Sequence, residues 1–176
     1  MGAWGAIIMS FFGALFAALT LGFQFRWTGL ALGLPFLPFA AIALAAIIVI
    51  RRPGAGISPS PEAERVIMWS SIGEGVGLFV AAQLTTSLGH RELLLPAMAL
   101  VVGLHFLPMA RAIPFQPFYV LGIALLAAAA AGFALAAPMG GAVSGFAGAI
   151  ALWVAALLAV RRDMQAKSTS ACVASS

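Results

Sequence analysis

From residue 112 to residue 160 this chain contains no Asp, Glu, Lys or Arg. A water-soluble globule needs polar residues to cover its exterior, so a charge-free run of that length does not belong to one. Composition carries the argument to the whole chain. Of its 176 residues, 63% are hydrophobic and 8% charged, with a mean hydropathy of +1.10. The solvent implied is lipid. In hydrocarbon every backbone polar group must be satisfied within the protein, so the apolar runs read as helices. A helix needs about 20 apolar residues to cross the hydrocarbon core, and the chain supplies six such segments. The fold class expected is an all-α membrane protein, a six-transmembrane-helix bundle.

Punctuation places the spans at about residues 2–23, 28–50, 66–88, 93–113, 118–137 and 142–160. Gln24-Phe25-Arg26-Trp27 turns the first into the second, which stops at Arg51-Arg52-Pro53. The longest loop, residues 54–65, carries Ser58-Pro59-Ser60-Pro61. Ser60 followed by Pro61 suits a helix cap and first turn, and Glu62 and Glu64 suit the positive end of the helix dipole. Gly89-His90-Arg91 joins the third and fourth spans, and Pro138-Met139-Gly140-Gly141 divides the charge-free run into the fifth and sixth. The transmembrane domain is thus residues 1–162. Residues 163–176, rich in Ser and Ala and carrying the lone Cys172, read as a disordered cytoplasmic tail.

Basic residues give the orientation. Loops on the N-terminal side hold Arg51, Arg52, Arg65, Arg111, Arg161, Arg162 and Lys167, whereas the opposite loops hold Arg26 and Arg91. Such asymmetry puts both termini in the cytoplasm. The net charge of +4 is therefore a topological signal rather than a nucleic-acid footprint, and the partner it implies is the lipid bilayer. The apolar N-terminal run has no basic region before it, so a cleaved signal peptide is not expected. Neither a myristoylation nor a prenylation pattern is present.

Helices in lipid associate through small residues that let backbones approach. Gly141 with Gly145, Ser144 with Gly148, and Gly13 with Ala17 fit that spacing. These faces serve either packing within the bundle or a homo-oligomer interface. Trp4, Trp27, Trp69 and Tyr119 lie near predicted membrane interfaces, where amphipathic rings collect. Residues 33–40 (GLPFLPFA) and 103–110 (GLHFLPMA) match at six of eight positions, without defining a repeat. Pro35, Pro38 and Pro108 each remove a backbone donor and are expected to kink their helices.

One carboxylate, Glu74, interrupts the third span. An ionisable group at that depth is costly and usually faces a partner or a wet cavity, which makes it the leading functional candidate. On a helix, Ser70, Glu74, Gly77, Ala81 and Thr85 fall along one stripe, with Ser71 and Gly73, Gly75 and Gly77 nearby. Glu74 sits about 12 Å inside the cytoplasmic boundary at 1.5 Å per residue. His105 comes at a similar depth across an antiparallel hairpin, because each residue is about 15 positions from its turn. A carboxylate and an imidazole at one level can share a proton and shift one another's titration. Alternatively each bonds its own helix neighbours, and both residues specify packing.

The run Gly103-Leu104-His105-Phe106-Leu107-Pro108-Met109-Ala110-Arg111, followed by Pro117-Phe118-Tyr119, resembles a family of small bacterial multi-span membrane proteins. Its hallmark is Gly-Leu-His-Phe-x-Pro-x-Ala before a Pro-x-Tyr turn. The resemblance implies a bacterial plasma-membrane protein and carries over no catalytic role. Phe118 stands where a second tyrosine is expected.

Two functional readings lead. In a proton-linked small-solute transporter or permeation pathway, Glu74 carries the proton, His105 relays it, Ser70 and Ser71 line the route, Pro108 is a hinge and Arg111 a gate. In a structural or accessory subunit, Glu74 and His105 specify helix packing. An enzymatic or redox role has less to stand on. His90 and His105 are about 22 Å apart along a helix, too far to hold one haem between them. No Cys-His metal spacing, phosphate loop or catalytic triad is legible, so no cofactor or metal is assigned.

Overall fold

The computed structural model describes residues 2–54, 56, 59–113 and 115–174, the last four by backbone alone. Ser58, Pro114 and the side chain of Cys172 fall outside the described residues. The described chain is helical: α1 (Ala3–Phe25), α2 (Phe36–Arg51), α3 (Pro61–Ser87), α4 (Leu94–Ala112), α5 (Pro117–Ala134) and α6 (Met139–Ala174). Short 3-10 turns, Gly29–Gly33 and Arg91–Leu93, lead into α2 and α4. Counting those turns, six segments among the described residues are long and apolar enough to cross a membrane.

Local chemistry sets the helix ends. Ser60 accepts a hydrogen bond from the Ala63 amide at 3.2 Å and Pro61 opens α3, with Glu62 and Glu64 in its first turn. Proline also divides the second span, which the sequence predicts as one helix from residue 28. Pro35 has no N–H to continue a helix begun at Gly29, so the chain makes a 3-10 turn and restarts at Phe36. Pro35 and Pro38 therefore stand at a helix start, where the missing donor costs little. Pro108 is the proline inside a helix: it lies in α4 and denies the Leu104 carbonyl its usual i+4 donor. The 5–6 turn lies earlier than predicted, at residues 135–138, and Gly140 and Gly141 belong to α6.

Helices α1, α4, α5 and α6 form the centre, with α2 packed on α1 and α6, and α3 packed on α4. The α1–α6 seam is antiparallel and very close. A methyl group at Gly141 would overlap the Gln24 side chain, one at Gly145 the Thr20 hydroxyl, and one at Gly13 would lie 2.7 Å from Trp153 Nε1. Gly148 faces the Phe16 ring, and Trp153 Nε1 donates to the Ser10 carbonyl at 3.1 Å. The small-residue face of α6 is thus occupied within the chain. Gly103 and Gly122 make a second close crossing, where a Cβ at either would lie 3.1 or 3.2 Å from the other's carbonyl oxygen, and Ser144 Oγ donates to the Ala128 carbonyl at 2.8 Å to join α6 to α5.

Of the segment predicted to be a disordered tail, residues 163–174 are helical. Helix α6 continues without a break to Ala174, and Asp163 and Lys167 are buried. Lys167 Nζ donates to the carbonyls of Val49, Ile50 and Arg52 at 3.0, 2.9 and 3.1 Å. It closes the C-terminal end of α2, where unsatisfied carbonyls and the negative dipole end favour a cation. One turn earlier, Asp163 accepts from the Ala3 amide at 3.2 Å at the N-terminal end of α1, where an anion is favoured for the converse reason. Arg162 lies over the Phe115 ring, 4.8 Å from its centroid. These contacts gather the start of α1, the end of α2 and the α4–α5 turn on one face.

The perimeter is apolar. Ile8, Phe11, Leu44, Ile48, Val76 and Phe79 are among many large hydrophobic residues left exposed, the surface that suits a lipid solvent.

Candidate functional site

The polar stripe on α3 faces α4. Ala81 and Thr85 are buried along it, and Thr85 Oγ1 donates to its own helix at the Ala81 carbonyl, 2.8 Å away. Gly77 permits the approach, since a Cβ there would meet Val101 Cγ1 at 2.8 Å. Gly73 and Gly75 have nothing within 4 Å of a virtual Cβ, so only one of the three glycines around Glu74 serves the contact. One turn before Gly77, Glu74 points to α4. One turn after Val101, His105 points back.

The two side chains meet. His105 Nε2 stands 3.6 Å from Glu74 Oε2, with side chains only 7% and 13% exposed. That separation is longer than a hydrogen bond and within ion-pair range. The other ring nitrogen, Nδ1, is buried and has no hydrogen-bond partner among the described residues.

The pair forms the polar end of a cavity with about 70 Å³ open to the centre of a water molecule, room for a few waters or a small polar group. Helix α1 contributes Gly5, Ile8, Met9 and Phe12 to its wall. Helix α4 adds Val102, Phe106 and Met109 around His105, while Phe118 of α5 and Leu152 of α6 complete it. Ser71 joins Glu74 from α3.

The predicted site residues divide. Glu74, His105 and Ser71 are brought together, and Ser70, half-buried, is not part of the lining. Pro108 and Arg111 are exposed and share a shallow surface cleft with Glu62 and Ala63, away from the cavity. Gly13, Gly141, Gly145 and Gly148 lie in the α1–α6 seam. His90 pairs with Glu92 at 2.9 Å near the turn between α3 and α4.

Neither a protein-family model, nor a curated protein, nor a solved structure matches this chain. The site is therefore read from its own geometry.

The α1 wall escapes sequence reasoning because Ile8, Met9 and Phe12 look the same whether they line a cavity or fill a core. Asp163 and Lys167 also escape it, although their i, i+4 spacing inside an apparent tail is a helix signal.

Burial restricts the charge states open to Glu74 and His105. A net charge in an apolar cavity is costly, so the pair is best accommodated when the two groups carry no net charge between them. That condition has two forms. Either a carboxylate faces an imidazolium, or a carboxylic acid faces a neutral imidazole. The two forms differ by one proton shifted within the pair, with little movement of heavy atoms.

Proposed function

We propose that this chain is a multi-pass protein of the bacterial plasma membrane, with both termini cytoplasmic, that couples a proton to the movement of a small solute at Glu74. The observation carrying this reading is the Glu74–His105 pair at 3.6 Å on the wall of a cavity inside the bundle. Residues 103–111, which bear the resemblance to small bacterial multi-span proteins, include His105 of the pair. The excess of Arg and Lys on the N-terminal-side loops supports the orientation. Glu74 serves as the proton-carrying group and His105 as its relay, while Ser71 adds a hydroxyl to the lining. Pro108 and Arg111, outside the cavity, act at most on the motion and the surface of α4.

Proteoliposomes loaded with a pH-sensitive dye test the reading by an external acid pulse. The expected outcome is faster internal acidification with the wild type than with protein-free liposomes, and protein-free behaviour with Glu74→Gln. Equal rates for wild type and Glu74→Gln would favour an accessory subunit. That second reading has its own support: α3 packs on α4 and exposes most of its remaining surface, leaving a helix face for a partner.

A further inference from the structure

The end of the bundle away from the Arg-rich face carries a second site. Three links meet there: α1 to α2, α3 to α4 and α5 to α6. Among them lies a cleft of about 700 Å³, within the roughly 300–1,000 Å³ of small-molecule sites. Gln24, Arg26 and Trp27 line it from the first link, Arg91 and Glu92 from the second, and Pro138 from the third. Arg26, Trp27 and Arg91 are exposed, so the cleft opens at the surface of this end. It shares no lining residue with the cavity at Glu74 and stands independently of the proton-linked reading.

Packing holds the walls. Gln24 lies against Gly141, where a Cβ would overlap its amide. The turn Gly29–Gly33 packs on α1, and the turn Arg91–Leu93 packs on α6. Polar atoms make up half of the wall, whereas the cleft at Pro108 and Arg111 is mostly apolar.

The charges of this cleft are not balanced within the chain. Arg26 and Arg91 are the basic residues of this end, and every other Arg and Lys lies toward the opposite one. Among the described residues Glu92 is the one carboxylate here, and His90 engages it at 2.9 Å. Neither arginine has a carboxylate within ion-pair range among the described residues. On the orientation proposed above, two arginines on this side also run against the positive-inside preference.

Arg26 carries a further mark. It ends α1 in the left-handed region, at φ 55° and ψ 29°, and the Trp27 amide donates to the Leu21 carbonyl at 3.0 Å. Glycine fills that helix-ending position most easily, because a side chain is strained there. A cation does suit the negative end of the helix dipole. A basic residue in the last turn of α1 would serve the dipole without the strain, and α1 has none there. Keeping an arginine at a strained position points to a role for its guanidinium outside the helix.

We infer that this cleft binds a small organic anion from water, a carboxylate or phosphate monoester carrying an apolar part. Guanidinium groups match both oxyanions through paired N–H donors. Phe23 and Trp27, which line the cleft and are about half exposed, offer surface to the apolar part.

The test uses the full chain in phosphatidylcholine nanodiscs, with binding read by titration calorimetry. Phenyl phosphate and phenylacetate are the probes, and 2-phenylethanol is the neutral control. Both anions are expected to bind and the alcohol is not. Arg26→Gly and Arg91→Gln should each weaken binding about tenfold, the worth of one charge-assisted hydrogen bond. Arg26→Gly should also melt at or above the wild-type temperature, because glycine relieves the strain, and this separates a lost ligand contact from a lost fold. Arg65→Gln removes the same charge at the opposite end and should bind as the wild type does. Equal losses in Arg65→Gln and Arg26→Gly would reduce the effect to overall charge and overturn the inference. Equal binding of the alcohol, wild-type binding by both cleft variants, or no binding of either anion would overturn it too. Native mass spectrometry covers the remaining source of phosphate. Phosphatidylglycerol retained by the wild type and lost by Arg26→Gly, with no binding of the free anions, would assign the cleft to a lipid headgroup instead.

Discussion

At Glu74 and His105 the physical question is how two ionisable side chains persist in an apolar bundle. Each side chain is largely buried, and each supplies the compensation that the other needs. Removing one partner of such a pair leaves the other uncompensated, whereas replacing both with apolar groups of similar size avoids that penalty. His105→Leu alone should therefore destabilise the protein by roughly 2–4 kcal/mol, and adding Glu74→Leu should recover much of the loss. Thermal melts in one detergent across the four members of that cycle measure the coupling, and simple additivity would mean that the pair does not interact. Glycine gives a second contrast at this scale. Gly145→Ala places a methyl group on the Thr20 hydroxyl and should cost about 1–3 kcal/mol by overpacking. Gly73→Ala meets open space and should be neutral or stabilising by up to about 1 kcal/mol, from helix propensity alone. Equal melting shifts for the two variants would contradict the α1–α6 seam described above. Glu74 and His105 were legible in the sequence because an ionisable group in a hydrophobic span is conspicuous. Their facing direction was not, because helix depth fixes height and leaves rotation open.

Among the elements, α6 departs furthest from what its sequence suggests. Its last part has the Ser- and Ala-rich composition of a solvated tail, yet it continues as helix because two charged residues find helix ends to satisfy. Lys167 meets three carbonyls of α2, and Asp163 meets an amide of α1. Composition cannot reveal this, since the partners are more than 100 positions away in the chain. Lys167→Met keeps much of the side-chain length and removes the donor. It should cost about 1–3 kcal/mol, the penalty for leaving buried carbonyls unpaired, and raise hydrogen exchange at the C-terminal end of α2. Unchanged exchange there would show that the lysine contact does not hold α2. The other elements follow their local signals: Ser60-Pro61 starts α3, Pro117 starts α5, and Pro35 breaks the second span where its missing N–H requires. Helix α3 combines a small polar stripe with broad apolar exposure, which is how it can hold Glu74 against α4 and still present an apolar face outward.

For the whole molecule, the orientation prediction is tested with Cys172, the single cysteine of the chain. A membrane-impermeant maleimide should label it in inverted membrane vesicles and fail to do so in intact cells. Labelling in intact cells would reverse the topology and place the Arg-rich face outside. Six segments long and apolar enough to cross a membrane, their approximate limits, and the ionisable Glu74 and His105 within them are legible along the chain. Those properties depend on hydropathy and charge read along the chain, and lipid enforces them on each segment separately. Tertiary structure decided that α6 packs along α1 through glycine, that Glu74 and His105 face each other, and that apolar side chains of α1 complete their cavity. It also turned an apparent tail into a clasp across the ends of α1 and α2. Within lipid the helices are apolar on nearly every side, so hydrophobic patterning does not choose their neighbours. Close shape fit, a few glycines and the pairing of isolated polar groups make that choice.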